Sequence, residues 1–352
     1  MVRRVLPVRP ARGRRSSAWA GPPPLLLVAT VLGVLVAPAV ASEAPQPTAV
    51  VQRSGAGITA SPRTVEPRVV HPVTVGPLQG GRRVGGVAPV RRALDVGVAS
   101  FNMFHQQSAD LAAADAQRLT SNPAVDVIGW QESQYFGSVL AGLPRAWRSA
   151  TVPRADGIGE IAVSWRRDRF RLDRVRLLAG TDGVDAAEGP YPFGGRGILV
   201  VTLTERSTGH RFSVVNVHLP PQSESPTAPG RWAATLNADR ARQHLTRIAK
   251  VWRGVPSRWV VGTGDFNFDA RADLRKRPAG GPVSTLGRVA SSTYQLLGTD
   301  VRPTYPSLDR HIDYVWVDRD ALRRDRLEVR SQRVLGGFHS DHRALLATLR
   351  LT

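Results

Sequence analysis

The chain has 352 residues, of which 42% are hydrophobic, so it is long and apolar enough to bury a large core and is not disordered throughout. It contains no cysteine, which excludes thiol chemistry, disulfide bonds and cysteine-bound zinc. The formal charge is +20, but residues 94–352 carry 35 basic and 26 acidic side chains, so this part of the chain has a balance of only +9.

The first 41 residues have the three-part pattern of a secretory signal peptide. Six arginines precede an apolar run from Leu25 to Ala37, and Ala39-Val40-Ala41 then offers a cleavage site. The run is shorter than the ~20 residues of a spanning helix, so we expect cleavage after Ala41, with an uncleaved anchor as the alternative. Both the general secretory and the twin-arginine export routes stay open. We therefore expect a secreted protein without stable membrane insertion.

Residues 42–93 are rich in Pro, Gly and Arg and lack periodicity, which predicts a flexible linker. Short β-branched runs then alternate with helical patterns, which predicts one α/β domain over residues 94–352. Strands are predicted at Val96–Phe101, Val125–Trp130, Ile161–Trp165, Ile198–Leu203, Phe212–His218, Trp259–Thr263, Asp313–Val317 and Ala344–Leu349. Helices are predicted at Ser108–Leu119 and Trp232–Trp252, and a surface loop at Arg271–Ser292.

Polar residues lie at the ends of these strands, where a scaffold can direct them into one cleft. Taken singly, each is typical of a turn or of a hydrogen-bonded core position. In chain order they are Asn102, Gln131-Glu132, Asn216-Val217-His218, Gly264-Asp265-Phe266-Asn267, Ile312-Asp313-Tyr314 and Ser340-Asp341-His342.

Taken together, from about Val96 to Thr352, the six motifs resemble the endonuclease/exonuclease/phosphatase superfamily. This superfamily includes pancreatic-type deoxyribonucleases, apurinic endonucleases, inositol polyphosphate phosphatases and neutral sphingomyelinases. The resemblance implies an α/β fold, a four-layer sandwich of two mixed β-sheets flanked by helices. It also implies a hydrolase that uses a divalent metal, Mg²⁺ or Mn²⁺, to cleave phosphate esters.

The chemistry of these residue types agrees with that implication. A phosphodiester is anionic, so a hard cation and fixed donors must neutralise the charge that grows on its phosphoryl oxygens. Magnesium prefers a few carboxylate oxygens and several waters. By resemblance, Glu132 is the principal metal ligand, and Asp341 and Asn102 contribute nearby, with Asp265 as a further neighbour.

The resemblance also implies roles for the remaining residues. Asp265 orients or deprotonates the attacking water, and Asn267 donates from its amide to a phosphoryl oxygen. His218 and His342 act as acid and base or bind the anion, and each needs a carboxylate behind it. Asp313 is the expected partner of His342. Glu160 resembles the carboxylate that supports the other histidine in the deoxyribonuclease branch, with an ordinary surface glutamate as the alternative.

The substrate is a phosphate ester, and the basic balance favours DNA or RNA. Nearly all basic residues are arginine, so genomic base composition is the alternative explanation of that balance. A phosphatase or phospholipase C-like enzyme acting on a lipid headgroup or an inositol phosphate is the alternative within the superfamily. An inactive nucleic-acid or cell-wall binding module is a more remote one, because every motif residue is present. A run of basic residues at Arg271, Arg275, Lys276 and Arg277 could bind a polyanionic substrate, with an ordinary solvated charge run as the alternative. A monomer is favoured.

Overall fold

The computed structural model describes residues 93–153 and 156–352. The expected signal peptide over 1–41 and all but the last residue of the expected linker over 42–93 lie outside the described residues. Within the described ranges, no helix is both long enough and apolar enough to span a bilayer.

Twelve strands and seven α-helices are found in the described ranges. The strands are β1 (Leu94–Asn102), β2 (Val127–Gln131), β3 (Trp147–Thr151), β4 (Ala162–Arg166), β5 (Phe170–Thr181), β6 (Arg196–Glu205), β7 (Arg211–His218), β8 (Trp259–Asp265), β9 (Ala290–Ser292), β10 (Asp313–Asp318), β11 (Leu327–Leu335) and β12 (Ala344–Leu351). The helices are α1 (Ala109–Thr120), α2 (Gly137–Ala141), α3 (Leu236–Arg253), α4 (Ala270–Lys276), α5 (Pro282–Leu286), α6 (Thr293–Leu297) and α7 (Arg319–Arg323).

The strands form two six-stranded mixed sheets. The first has the order β11-β12-β1-β2-β4-β3 and the second β5-β6-β7-β8-β10-β9. Each sheet has one parallel pair near its centre, β1 with β2 and β7 with β8, and its other pairs are antiparallel. The expected α/β sandwich of two mixed sheets with helices is confirmed.

Strand β1 shows how the layers are held together. Its Val96 and Val98 belong to the large core that also contains the inward residues of the second sheet. Its Ala99 and Phe101 face the opposite way and pack with α1. Both faces of the strand are therefore covered, which explains its nearly continuous apolar sequence. Burial of each large apolar side chain contributes about 1.5–3 kcal/mol.

Asn216 on β7 joins the two sheets by hydrogen bonds. Its Nδ2 donates to the carbonyl oxygens of Trp130 (2.7 Å) and Ala162 (2.9 Å), and its Oδ1 accepts from Gln131 Nε2 (2.8 Å) and Thr263 Oγ1 (3.0 Å). All four hydrogen-bonding positions of this buried amide are filled, so the residue is structural. It fixes the ends of β2 and β7, which carry polar residues, against each other.

Two sequence-based expectations differ from the structure in this part of the chain. Helix α3 begins at Leu236 and not at Trp232, because the Thr235 side chain caps it by accepting from Ala238 N. The surface loop expected at Arg271–Ser292 is wrong, since α4, α5 and β9 occupy most of this segment. Helices of seven and five residues are too short to display a helical period, and the glycines and prolines between them obscured it.

Asp273 on α4 is a buried carboxyl whose charge opposes folding. Burial, aided by the charge of Asp269, raises its pKa from 3.8 to about 7, although Val283 N donates to it at 2.8 Å. The folded state therefore binds a proton more tightly than the unfolded state, and stability falls as pH rises from about 4 to 7. At about 1.4 kcal/mol per pKa unit, the loss reaches a few kcal/mol.

We therefore expect Asp273→Asn to raise the thermal midpoint at pH 8 by about 5 °C and to leave it nearly unchanged at pH 4. Differential scanning calorimetry at both pH values measures this. Asp239→Asn, on the exposed side of α3, is the control and should show no pH-dependent gain. Equal thermal midpoints for Asp273→Asn and the wild type at both pH values would contradict the claim that the buried Asp273 charge destabilises the protein.

Candidate active site

One cleft of about 390 Å³ collects most of the residues that the sequence motifs singled out. Seven of the expected site residues line it: Glu132, Glu160, His218, Asp265, Asn267, Asp341 and His342. Asn102 and Asp313 lie directly behind its wall and contact lining residues. Side chains from both sheets and from four loops therefore meet in one place.

Strand register explains why three of these side chains lie side by side. In the second sheet His218 on β7 is opposite Asp265 on β8, and Asp265 is opposite Asp313 on β10. The facing sheet presents Asn102 on β1 opposite Gln131 on β2, one residue before Glu132. Two parallel pairs thus end at the same edge, as strand ends do in layered α/β folds.

Asp265 is the central carboxylate of the cleft. Its Oδ2 accepts from Asn102 Nδ2 at 3.0 Å and lies 3.5 Å from His218 Nε2 and 3.7 Å from His342 Nε2. Burial raises its pKa, and the charge of Asp313 adds to that effect, while the two imidazoles oppose it. A carboxylate with a raised pKa is suited to accept a proton near neutral pH.

His342 is held as an imidazolium by Asp313. The ring Nδ1 lies 2.8 Å from Asp313 Oδ2, and both residues are buried. Burial lowers the pKa of His342, but the charge of Asp313 and its hydrogen bond outweigh burial and raise the pKa to about 10. The ring therefore carries a proton throughout the neutral range and faces Asp265 with its other nitrogen.

His218 has an equivalent support on the other side of Asp265. Its Nδ1 lies 3.0 Å from Glu160 Oε2, and Arg196 Nη1 lies 2.5 Å from the second oxygen of that glutamate. Burial lowers the pKa of His218, yet the charge of Glu160 leaves it raised overall. Glu160 is therefore no surface residue but a buried partner of His218. Arg196 was not anticipated, because a lone arginine at the start of a strand has no motif.

Glu132 follows β2 in the left-handed backbone region, with φ +55°. Its carboxylate accepts from Asn102 Nδ2 at 3.1 Å and from His105 N at 2.9 Å, and it also contacts the His105 ring. Burial raises its pKa, but the charge of His218 and these hydrogen bonds outweigh it and lower the pKa to about 2. Glu132 thus stays ionised. His105 is a further cleft residue that the sequence did not reveal, since nothing around it suggested chemistry.

Asn267 sits in the loop after β8, also in the left-handed region, with φ +48°. Its backbone N donates to Asp265 Oδ1 at 2.8 Å, which explains the unusual backbone, a conformation that asparagine tolerates. The side-chain Nδ2 donates to Leu219 O at 3.1 Å and lies 3.3 Å from His218 Nε2. The amide therefore lies beside the His218 ring in the wall of the cleft.

A short loop carries Asp341 into the cleft. Ser340 Oγ donates to Asn102 O at 2.8 Å, and the backbone N of Ser340 and of His339 donate to Asp115 on α1 at 2.8–3.0 Å. Asp341 Oδ1 is buried and has no hydrogen-bond partner. Burial raises the pKa of Asp341, although the charge of His342 opposes it, and the charge of Glu132 raises it further. The carboxyl groups of Glu132 and Asp341 therefore interact electrostatically across the cleft.

Two groups of residues offer places for a cation. Asp265, Asp313 and His342 have ligand atoms within 4.8 Å of one another. However, both nitrogens of His342 face carboxylates, and a protonated imidazole cannot ligate a metal. Glu132 and Asp341 fit better, because one is ionised and the other has an unpartnered buried oxygen. Asn102 donates from Nδ2 to the carboxylates while its Oδ1 accepts from Phe104 N at 2.9 Å, so its expected role as a ligand stays a prediction.

The basic run after β8 is not part of the described lining of the cleft, and two of its members have partners elsewhere. Arg271 Nη2 lies 3.0 Å from Asp309 Oδ2, and Lys276 donates to Pro229 O. Among the cleft arginines, Arg196 pairs with Glu160 and Arg310 pairs with Glu224. The cleft thus keeps its positive charges in ion pairs.

A sandwich of two mixed sheets thus brings acids, amides and paired imidazoles together at one edge. The sequence profile of the Endonuclease/Exonuclease/phosphatase family matches residues 99–342, and the chain belongs to this family. The resemblance drawn from the six motifs is thereby confirmed. Members of the family are divalent-metal-dependent phosphoester hydrolases, and this chain is one of them.

Solved structures of other family members share the fold. A Bacteroides vulgatus endonuclease/exonuclease/phosphatase is 20% identical, with a TM-score of 0.55 over 74% of this chain and 100% of that one. D. rerio TDP2 complexed with single strand DNA product is 15% identical (TM-score 0.53, 72% and 98% covered). The human Nocturnin catalytic domain with bound sulfate anion is 16% identical (TM-score 0.52, 74% and 97% covered). No curated protein sequence was found that matches the chain.

Proposed function

We propose that the protein is an exported, Mg²⁺-dependent phosphodiesterase that cleaves nucleic acid. The observation that carries the reaction is the central position of Asp265, within 3.5–3.7 Å of two imidazoles that are each held by a buried carboxylate. This arrangement places one base beside two cationic groups, which suits removal of a proton from water and stabilisation of negative charge on a phosphate.

The cation is assigned to Glu132 and Asp341, in agreement with the oxygen chemistry that magnesium prefers. The unpartnered Oδ1 of Asp341 supports this assignment, because a buried acceptor without a donor is costly unless a cation approaches it. When bound, Mg²⁺ would supply the positive charge that offsets the charge growing on the phosphoryl oxygens. Mn²⁺ suits the same ligands.

The other roles in the reaction are assigned to side chains of the cleft. Asp265 orients the attacking water and accepts its proton, for which its raised pKa is favourable. His342 and His218, in their protonated forms, stabilise negative charge on the phosphate. Asn267 donates an amide hydrogen to a phosphoryl oxygen without adding charge. Asp313 and Glu160 hold the two rings in place.

Three observations support nucleic acid as the substrate class. Residues 94–352 have a balance of +9, which attracts polyanions. Tyr135, close to the cleft residue His105, is 71% exposed and offers a ring on which a base can stack. A solved relative of the same fold, D. rerio TDP2, is complexed with a single strand DNA product.

Export rests on the sequence pattern of the first 41 residues, an arginine-rich start, an apolar run and a small-residue cleavage site before Ser42. Mass spectrometry of the N-terminus of the secreted protein tests it, with Ser42 as the expected first residue.

The substrate assignment is tested by measuring hydrolysis of single-stranded DNA, RNA, sphingomyelin and inositol phosphates with Mg²⁺ and with chelator. We expect nucleic acid to be cleaved at least tenfold faster than the other substrates, and chelator to abolish the activity. Asp239→Asn serves as a surface-charge control that should match the wild type. Preferential hydrolysis of sphingomyelin or inositol phosphates would replace the nucleic-acid assignment with a lipid or phosphomonoester one.

A further inference from the structure

A second concave region, which we call the arginine cleft, flanks the loop between β11 and β12. It has a volume of about 560 Å³ and is lined by Arg118 at the end of α1, Arg302, and Arg333 on β11, around Gly336. A β-carbon placed on Gly336 would lie 3.7 Å from Arg302 Nη2 and 3.9 Å from Arg343 Nε. A β-carbon on the next residue, Gly337, would lie 3.1 Å from Arg118 Nη1. Guanidinium groups from separate segments therefore converge on two glycines.

The charge of this cluster is not compensated. Within residues 93–153 and 156–352, none of the four arginines forms an ion pair with an acid. The guanidinium groups of Arg302 and Arg343 donate to the carbonyl oxygens of Val334 (2.9 Å) and Pro303 (3.4 Å).

Asp115, a buried acid on α1 three residues before Arg118, already accepts from the backbone and ring of His339 and from Ser340 N. The catalytic cleft differs in this respect, because its arginines are paired with Glu160 and Glu224. Clustered cations without acidic partners create a positive local potential that attracts anions.

Short stretches of chain connect the arginine cleft to the catalytic edge. Arg343 directly follows His342, and Gly337 precedes the His339-Ser340 turn that is anchored on α1. Arg302 is two residues before Thr304, whose hydroxyl accepts from the backbone N of Ile312 (3.0 Å) and of Asp313 (3.1 Å). The arginines thus flank the same edge of the sandwich as the reactive groups.

We propose that the arginine cleft binds the phosphate backbone of a nucleic-acid strand beyond the bond that is cleaved. The inference rests on the proposed nuclease function and adds where the rest of the strand lies. Arginine suits this task, because its planar guanidinium stays charged and donates to two phosphate oxygens at once.

A membrane surface fits the cleft less well. Binding to a bilayer requires apolar side chains that insert between lipids. None of the large hydrophobic residues found exposed in the described ranges lines the arginine cleft. Its aromatic residue, Phe338, packs on Phe101 with ring centroids 4.6 Å apart. The charged side chains that line this concave surface are all arginines, which favours a polyanionic strand over a bilayer.

The test compares two double variants of the full chain, both of which retain the arginine-rich N-terminal region. The first is Arg118→Gln with Arg333→Gln. The matched control is Arg253→Gln, at the last turn of α3, with Arg174→Gln, on the edge strand β5, which removes the same charge from exposed helix and strand positions elsewhere. Fluorescence anisotropy in chelator measures binding of a labelled 20-nucleotide single strand, and hydrolysis of bis(p-nitrophenyl) phosphate with Mg²⁺ reports the catalytic centre.

We expect the cleft variant to bind the strand roughly tenfold more weakly, with a salt-dependence slope lower by about 1.4, the value for two lost single-strand phosphate contacts. Hydrolysis of the small diester should be unchanged in both variants. Equal strand affinity of cleft variant and control would overturn the inference while leaving the nuclease function standing. A wild type that hydrolyses the small diester but binds no strand would overturn both. Selective loss of binding to vesicles of phosphatidylserine, and not to the strand, would reassign the cleft to lipid.

Discussion

Replacing Asp265 with asparagine is expected to lower kcat for a phosphodiester by roughly a thousandfold. The side chain lies between His218 and His342 and accepts from Asn102, so it is the only carboxylate of the described cleft that touches both imidazoles. An amide of the same shape keeps the bond from Asn267 N but cannot accept a proton from water. Steady-state hydrolysis assays at saturating Mg²⁺, together with thermal unfolding, measure the effect.

The matched control removes a carboxylate charge from the far end of the first sheet. Asp126 accepts from Gly97 N at 2.8 Å and pairs with Arg169 Nη1 at 2.6 Å. Asp126→Asn should lower stability by about 3 kcal/mol, since it breaks a largely buried ion pair, and should leave kcat of the folded enzyme intact. Asp265→Asn should instead lower kcat and leave the stability largely intact. If Asp265→Asn retained more than a tenth of wild-type turnover, its role as the central base would be wrong.

Asp313→Asn is expected to change the pH profile of the reaction strongly. Asp313 raises the pKa of His342 to about 10, so the wild-type ring stays protonated well above neutrality. Without the carboxylate, the pKa should return toward its ordinary value of 6.5 or below. Turnover at pH 8 should then fall roughly a hundredfold and recover in part near pH 6. The measurement is kcat/KM from pH 5 to 10.

The Asp313–His342 pair also stabilises the folded state, and the size of this contribution depends on pH. Because the folded pKa of His342 is raised, the contribution is fully present below pH 6.5 and is lost as pH rises through about 10. Asp318→Asn, at the other end of β10, is the control, since Asp318 accepts from Trp252 Nε1 and from Ala321 N. It should affect stability but not the alkaline limb. An unchanged alkaline limb in Asp313→Asn would exclude His342 as the required imidazolium.

The central strands could be predicted from the sequence because both of their faces are buried. Strands such as β1, β6 and β8 consist of nearly continuous apolar residues, which only a covered strand needs. The sequence does not predict strands β3, β5 and β11. They lie at the edges of their sheets and carry exposed arginines, so their pattern resembled that of a loop.

The site residues at strand ends could be predicted for a related reason. A polar residue directly after a buried strand must end at the rim of the sheet, and several such residues in the right order indicate a shared cleft. For Glu160 the sequence leaves two interpretations open, because its segment is a glycine-rich loop without a strand to orient it. Its contact with His218 depends on the packing of that loop beside β6, where Arg196 fixes the carboxylate.

His105 illustrates what the sequence could not show. It contacts Glu132 because Phe104 adopts a left-handed conformation with φ +55° and turns the chain back over the cleft. A positive φ at phenylalanine has no sequence signature. The arginine cleft is similar, since its four members come from α1, β11 and two loops that are brought together only by the tertiary fold.

The most direct test of the account is Mn²⁺ binding followed by electron paramagnetic resonance, which needs no substrate. We expect the wild type to bind Mn²⁺ at the catalytic cleft, His342→Ala to retain that binding, and Glu132→Gln to weaken it at least tenfold. If His342→Ala abolished binding while Glu132→Gln left it intact, the cation would belong to the Asp265, Asp313 and His342 group, and the assigned division between a carboxylate metal site and a charged imidazole would be contradicted.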